Sequence, residues 1–511
     1  MKRLLLYLLS ILVIVSCGEI DPEPKKQESK TSETYTMPER NGCSGITYQL
    51  LVYSFADSDG DGIGDFNGIK AHIDHFRVLG VQALWLSPVH PSSSYHGYDV
   101  LDYTDVNPDY GTMDDFKALL AAAHSAGIKI YLDFVLNHTS WRHPWFLSAK
   151  ASRESEYRDY YFFKEDGSYE CFFDRSMPDI NYGPATTCEQ SEPFKELTAA
   201  ADGWIRMGVD GFRLDAIKHI YDNAESDENP TFLKKFYDHC NTTYKSCGGK
   251  GDIYMIGEHF SEADKVAPYY TGLPAYFEFS FWWRLKDFIN KGTGKDFLRT
   301  ILGYRSLYAQ YRDNYIAAPK LTNHDEDRAA KDLGRSKDKE KLAAAVLLTC
   351  SGEPYIYQGE ELGYWGSKSD GDEALRAPMV WTSDISSIAG AKLHFLDMNM
   401  LTPEISVERQ SADSTSVLSC YRKFGDLRAR YRALSKGSMD NCPVSGNDAI
   451  AAWYRQYEDE KLLVLHNFSG GSTSVSITSA DLSRVIAANG TVTVKESKVI
   501  LGPYSSAIFL Q

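Results

Sequence analysis

Asp215, Glu258 and Asp325 are the side chains of this sequence whose type and setting best suit covalent chemistry. Asp215 stands in GFRLDAIKH, two positions after Arg213; Glu258 stands in IGEHF; Asp325 follows His324 in LTNHDEDR. A fourth stretch, LDFVLNH, supplies Asp133, Asn137 and His138. Residues two apart on a strand share a face. Arg213 therefore sets a guanidinium beside Asp215 and favours its charged form, the state that a carboxylate nucleophile requires. One acid at a strand end is commonly a helix cap or an ion-pair partner. Three of them, each closing an apolar run and flanked by histidines, are not accounted for by structure alone.

A second acidic group lies at 57–65, DSDGDGIGD. Asp57, Asp59, Asp61, Ile63 and Asp65 fall at the first nine positions of an EF-hand loop, with Gly62 at the turn position. The twelfth position is Gly68, where a bidentate Glu is needed, and an apolar strand-like run precedes the loop. That is no stand-alone calcium sensor. So many carboxylates in one short loop would still repel one another without a cation.

The elements that must position these groups alternate. Apolar runs at 46–55, 81–89, 128–137, 211–217, 252–260, 275–281, 315–325 and 354–361 alternate with amphipathic stretches, including helices near 230–247, 337–349 and 415–434. Eight strands with helical crossovers predict an α/β fold, a parallel (β/α)8 TIM barrel, in which chemistry sits at the C-terminal strand ends. The rhythm breaks at 138–193, rich in Trp, Tyr, Phe, Gly and Pro without helical period, which reads as an inserted domain after strand three. From 436 to 511 short strand-like runs predict a C-terminal all-β sandwich. The barrel then occupies 44–137 and 194–435.

The chain has 511 residues and a formal charge of -16, which argues against nucleic acid or an anionic membrane surface as its partner. A neutral substrate is compatible. Lys2 and Arg3 precede an apolar run from Leu4 to Val15, the length of a signal segment and too short to span a bilayer. Ile14-Val15-Ser16-Cys17 resembles a bacterial lipobox, with residues 1–17 as signal peptide and Cys17 lipidated. Residues 18–43 read as a disordered tether. Export as an outer-membrane lipoprotein follows, on the cell surface or the periplasmic side. Of the other eight cysteines, Cys171 and Cys188 share one loop-rich segment and are expected to pair, while Cys350 is expected to be a buried free thiol.

DFVLNH, GFRLDAIKH, GEHF and TNHDED resemble the four signature regions of the α-amylase family, glycoside hydrolase family 13, and MPDIN at 177–181 resembles its fifth. The resemblance implies a retaining double displacement with Asp215 as nucleophile and Glu258 as general acid and then base, the pKa of Glu258 lying above that of Asp215. It implies that Asp325 stabilises the transition state, that His138, His324 and Arg213 hold the reacting sugar, and that Tyr98 stacks beneath it. Lys218 and His219 would contact the sugar on the leaving-group side. The loop at 57–65 resembles the calcium loop of oligo-1,6-glucosidases, with Asp57, Asp59, Asp61, Asp65 and the Ile63 carbonyl as ligands. A second calcium would take Asn137, Asp179 and the His219 carbonyl.

Two features divide the specificity. Ala216 follows the nucleophile, where relatives cutting α-1,6 bonds carry Val, and the Lys218-His219 pair resembles endo-acting α-amylases. SYHGYD (94–99) lacks the acid that closes the cleft of oligo-1,6-glucosidases, yet the calcium loop and LRAPMVW (375–381) resemble those enzymes and neopullulanases. Endo-hydrolysis of α-1,4 bonds in starch or maltooligosaccharides by a monomer is the expectation. A neopullulanase, an α-glucosidase or oligo-1,6-glucosidase, and a non-catalytic glucan-binding protein are the alternatives.

Overall fold

The computed structural model describes residues 44–221, 227–385, 388, 400–442, 444, 447–478 and 480–511. The segments expected to form the signal peptide and the tether, with Cys17 and Cys43, lie outside the described residues. All described residues belong to the unit Glu39–Gln511. Among them, no helix is long and apolar enough to cross a membrane.

Eight parallel strands form the barrel: β1 (Thr47–Leu50), β2 (Ala83–Leu86), β3 (Lys129–Val135), β4 (Gly211–Asp215), β5 (Tyr254–Gly257), β6 (Ala275–Glu278), β7 (Ile316–Pro319) and β8 (Tyr355–Tyr357). Their order is β7-β6-β5-β4-β3-β2-β1-β8, and a parallel bridge from Lys320 to Tyr355 closes the ring. Each strand is shorter than its apolar run. The run at 46–55, for example, leaves the sheet after Leu50 and coils into a helical turn, Val52–Phe55, ahead of the acidic loop.

Period-2 alternation sorts the side chains. Ala83, Trp85, Tyr131, Ile256, Ala275, Phe277, Ala318 and Tyr355 fill the lumen. Leu84, Leu86, Ile130, Leu132, Phe212, Leu214 and Met255 face the surrounding helices. The lumen is tight: Tyr131 and Tyr254 stack at 4.4 Å, and a Cβ on Gly211 would fall 2.3 Å from the Tyr254 carbonyl oxygen. Local signals set the crossover helices. Met113–Ser125 begins at a capping box of Thr112 and Asp115, and Glu192–Met207 runs from a Ser191 cap to a left-handed Gly208.

Between β3 and β4 the chain leaves the barrel. It makes a helix, Pro144–Ala151, which the sequence reading missed, and the bridges His138–Asp179, Tyr161–Ile180 and Phe163–Tyr169. The missed helix is short, with only Phe146 and Ala149 buried, too few to give a helical period. The expected Cys171–Cys188 disulfide is not formed, and all seven described cysteines are free thiols. Cys188 is buried in the turn Cys188–Gln190 beside Lys235, whereas Cys171 sits in a loop beside Asp179 and Arg175. Sharing a segment did not bring them together. Cys350 is buried and free, as expected.

The C-terminal strands are antiparallel. β9 (Ser438–Asn441), β10 (Ile450–Tyr457), β11 (Glu460–Asn467), β13 (Val485–Asn489) and β16 (Ser506–Leu510) form one sheet; β12 (Thr473–Ser476), β14 (Val492–Lys495) and β15 (Lys498–Leu501) form the other. In β11, Leu463 and Leu465 pack toward the small sheet, while Leu462 and Val464 join the barrel's outer core. The large sheet is therefore buried on both faces. Arg455 crosses this junction, donating to the carbonyls of Thr349 at 2.6 Å and Ser438 at 2.9 Å.

Candidate active site

Arg213, fully buried on β4, organises the C-terminal mouth of the barrel. Its Nη1 donates to Asp133 Oδ1 on β3 and to Asp215 Oδ1 at the end of β4, both at 2.7 Å, and its Nη2 lies 3.1 Å from Glu258 Oε2 just past β5. The guanidinium rests over the Trp85 ring at 4.9 Å, and the Trp85 indole N–H donates to Asp133 at 3.1 Å. One cation thus faces three buried carboxyls. It cannot hold all three ionised in a low-dielectric site, so protons are retained near neutrality.

The individual shifts follow. Burial pushes Glu258 up to about 7, against the pull of Arg213 and with the help of the charges on Asp215 and Asp325. Burial likewise raises Asp133 to about 7. Asp215 also moves up through burial, with Arg213 pulling it back, so the guanidinium moderates a rise rather than imposing the drop that sequence reasoning assigned to it. Burial opposes the charge on Asp325, but His324, Arg376, Lys368 and Arg213 outweigh it and hold that carboxyl below the usual range. Burial also presses His324 well below its ordinary value, so it is neutral. The charge that keeps Asp325 ionised is therefore that of Arg376, 2.9 Å away.

Hydrogen bonds fix the His324 tautomer. Gln49 Nε2 donates to His324 Nδ1 at 2.7 Å, which leaves the proton on Nε2, 2.6 Å from the Tyr98 hydroxyl. The Tyr98 hydroxyl donates to Asp133 Oδ2 at 3.0 Å, and the two rings stack in parallel at 5.4 Å. At the end of β4 the backbone turns through Ala216 in the left-handed region, φ +48°. That costs a non-glycine residue about 1–3 kcal/mol. The turn aims the Ala216 N–H at Glu258 Oε2, 3.1 Å away.

Above these groups lies a pocket of about 350 Å3. It brings together Tyr98, His138, Asp215, Glu258 and Asp325, as the sequence predicted, with Arg213 and His324 beneath. His138 is buried, its Nε2 has no partner in the protein, and its pKa is pressed down by burial to about 4. It presents a neutral ring at the pocket wall. Lys218 and His219 do not line this pocket. Lys218 donates to the Phe260 carbonyl at 3.1 Å, and His219 stacks on Phe172 at 3.7 Å.

Sequence reasoning missed Arg376, Asp372, Lys368, Phe173 and Met177, which complete the wall. Arg376 bonds Asp325, Asp372, the Tyr95 hydroxyl and the His324 carbonyl. LRAPMVW contained it, but nothing in that motif shows an ion pair with a residue 51 positions away. Asp133 was visible at its strand end without a role.

The acidic loop gathers ligand atoms of Asp57, Asp59 and Asp61 within 4.8 Å of one another. The fourth acid, Asp65, turns to other work: it accepts from the Ser58 N–H and hydroxyl and from the Gly68 N–H, capping the helix Phe66–Ala71. At the second place, Asn137 Nδ2 donates to Asp179 Oδ1 at 3.2 Å, and the buried Asn137 Oδ1 has no protein partner.

Residues 49–437 match the family model described as the catalytic domain of alpha amylase, and residues 450–508 match the alpha-amylase SusG C-terminal domain. Alpha-amylase SusG of Bacteroides thetaiotaomicron is 38% identical, covering 96% of this chain and 94% of its own length. Alpha-amylase 3 of Dictyoglomus thermophilum is 37% identical over 91% of this chain and 93% of its own. An oligo-1,6-glucosidase of Parageobacillus thermoglucosidasius is 28% identical over 83% and 90%. Among solved structures, an alpha-amylase from H. orenii superposes with a TM-score of 0.81 at 31% identity, over 91% of this chain and 99% of that one. A buried arginine tying three strand-end acids, on a barrel that matches these models over most of its length, makes this chain a glycoside hydrolase of the α-amylase family, family 13.

Proposed function

We propose that the chain is an endo-acting α-amylase hydrolysing α-1,4-glucosidic bonds in starch and maltooligosaccharides with retention of configuration. The observation that carries this reading is the shared guanidinium, which holds Asp215 and Glu258 on its two neighbouring Nη nitrogens. It favours the close carboxyl spacing of a double displacement. Asp215 attacks the anomeric carbon while Glu258, protonated near neutral pH, gives its proton to the departing oxygen. A water then loses its proton to Glu258 and attacks the same carbon, releasing the Asp215 carboxylate. Asp325, kept ionised by Arg376, faces the positive charge of the oxocarbenium-like transition state. Tyr98 lies under the ring, and His138 offers its unpartnered nitrogen to a hydroxyl.

The α-amylase names of the two relatives above 35% identity support starch as substrate. The oligo-1,6-glucosidase relative keeps the α-1,6-cleaving alternatives in play. A product time course separates them: mixed maltooligosaccharides appearing early from starch, with little from pullulan, is the expected result. Glucose alone, or panose from pullulan, would refute it. Asp215→Asn should abolish hydrolysis; a fully active variant would refute the role of Asp215, and a parent that binds starch without cleaving it would favour the glucan-binding alternative.

Calcium fits Asp57, Asp59, Asp61 and the Ile63 carbonyl, with Asp65 bracing the loop, because a cation would relieve the repulsion among three carboxylates whose ligand atoms converge within 4.8 Å. Asn137, Asp179 and the His219 carbonyl form the second candidate set, supported by the orphaned Asn137 oxygen. An ion there would stiffen the junction of the inserted segment with the barrel. The lipobox-like run ending at Cys17 supports export and a lipid anchor. Globomycin-sensitive processing and acyl labelling of Cys17 would test it; a Cys17→Ser variant processed like the parent would refute it.

A further inference from the structure

Buried backbone that joins no ladder must find its hydrogen-bond partners elsewhere. From Arg376 to Val380 the chain is buried and forms neither helix nor strand. Side chains of β8 and of the turn after it take up its polar groups. The Tyr357 hydroxyl donates to the Leu375 carbonyl at 3.0 Å, Gln358 Nε2 to the Ala377 carbonyl at 3.3 Å, and the Tyr364 hydroxyl to the Pro378 carbonyl at 2.9 Å. Tyr357 and Gln358 therefore grip the chain on either side of Arg376, the residue that pairs with Asp325.

Gln358 closes more than one bond. It is 1% exposed, and both ends of its amide have partners. Oε1 accepts from the Leu51 N–H at 3.1 Å, while Nε2 also donates to the Ser54 carbonyl at 3.1 Å, with the Ser54 hydroxyl 3.2 Å away. The chemistry of these partners fixes which way the amide points. The Ser54 carbonyl accepts from the Met379 N–H as well, at 3.0 Å. One side chain thus ties the end of β1 to the segment that carries Arg376. Neither Gln358 nor Tyr357 lines the catalytic pocket.

The structure assigns Gln358 and Tyr357 as positioning residues that act on Asp325 through Arg376. They set the backbone from which the guanidinium reaches Asp325 at 2.9 Å and the His324 carbonyl at 3.1 Å. This rests on the role proposed for Asp325 above. It adds that the cation beside Asp325 serves the reaction only while its backbone is held.

The test is a double-mutant cycle in kcat on soluble starch, with thermal melting of every variant. Gln358→Met keeps the length of the side chain and removes the amide, so Arg376 keeps its charge but not its place. kcat should fall about three- to tenfold, less than on loss of Arg376 itself. KM should stay within about twofold of the parent, since a charge facing the transition state matters little to a neutral ground-state sugar. Tyr357→Phe, which deletes one hydroxyl, should cost about two- to fivefold, and it decides the matter if Gln358→Met does not fold. In an Arg376→Ala background each substitution should change kcat by less than about twofold, because the group through which it acts is gone. Losses that multiply with that of Arg376→Ala overturn the inference, since the two residues then act on the fold at large. So does parental kcat in both folded variants, or a raised KM at parental kcat. Parental kcat in Arg376→Ala overturns the reading of Asp325 beneath it as well.

Discussion

Replacing Arg376 with alanine should disable the site without touching any of the three carboxyls. Arg376 is 4% exposed and donates to Asp325 at 2.9 Å, to Asp372 at 3.1 Å, to the Tyr95 hydroxyl at 2.9 Å and to the His324 carbonyl at 3.1 Å. Truncating one partner of a buried ion pair costs about 3–5 kcal/mol. The Asp325 and Asp372 side chains are 34% and 41% exposed, so water recovers part of that. That leaves a loss of about 1–2 kcal/mol at Asp325, equal to about 5- to 30-fold in rate or about one pH unit in its pKa. The sign is fixed by which form works. In the proposed mechanism Asp325 acts as a carboxylate, and in the parent its pKa is held below the usual range, so its protonation should not limit activity at mildly acid pH. Without Arg376 the pKa rises by about one unit from well below the usual range, which leaves Asp325 ionised above pH 4, so kcat should fall about 5- to 30-fold at every pH assayed. Arg376→Lys, which keeps the charge but loses the fork to the His324 carbonyl, should recover part of the loss. The assay is kcat and kcat/KM on soluble starch from pH 4 to 8, with thermal melting to show that the variant is folded. Parental kcat in a folded Arg376→Ala enzyme would refute the assignment.

Three further outcomes follow from the same structure. In the proposed mechanism Glu258 must be protonated for its first step, and it is raised to about 7, so kcat/KM should fall above about pH 7; Glu258→Gln should lose hydrolysis, and an alkaline limb unchanged in position on a shortened substrate with a good leaving group would be inconsistent with this role. Glu360 is buried, its Oε1 accepts from the Tyr421 hydroxyl at 2.7 Å, its Oε2 has no partner, and burial raises it to about 8. Because the folded state then binds a proton that the unfolded chain releases near pH 4.5, stability should decline from about pH 5 to 8, by at most ~1.4 kcal/mol per unit, and Glu360→Gln should flatten that decline in Tm. Calcium added to chelator-stripped enzyme should raise Tm through the Asp57, Asp59 and Asp61 site, and Asp59→Ala should remove most of the gain; a parent whose Tm ignores calcium would dismiss the site.

The sequence by itself determined the architecture and the chemical identity of the site. Alternating apolar runs must bury one face in a lumen and the other under helices, which left few folds other than an eight-stranded barrel, and nearby residues of one strand had to share its mouth. Arg213 and Asp215 were therefore joined on paper, as were His324 and Asp325 at the end of β7. Tertiary structure decided the rest, because it depends on distance between residues remote in sequence. Only barrel closure brings Arg376 to Asp325 and makes Asp133 a third claimant on Arg213. Burial, which no local pattern reports, raised Asp215 where its neighbouring cation alone implied a fall, and it placed a proton on Glu258. The same cause separated Cys171 from Cys188, since two thiols near one another in sequence pair only if the folded backbone carries them to the same place.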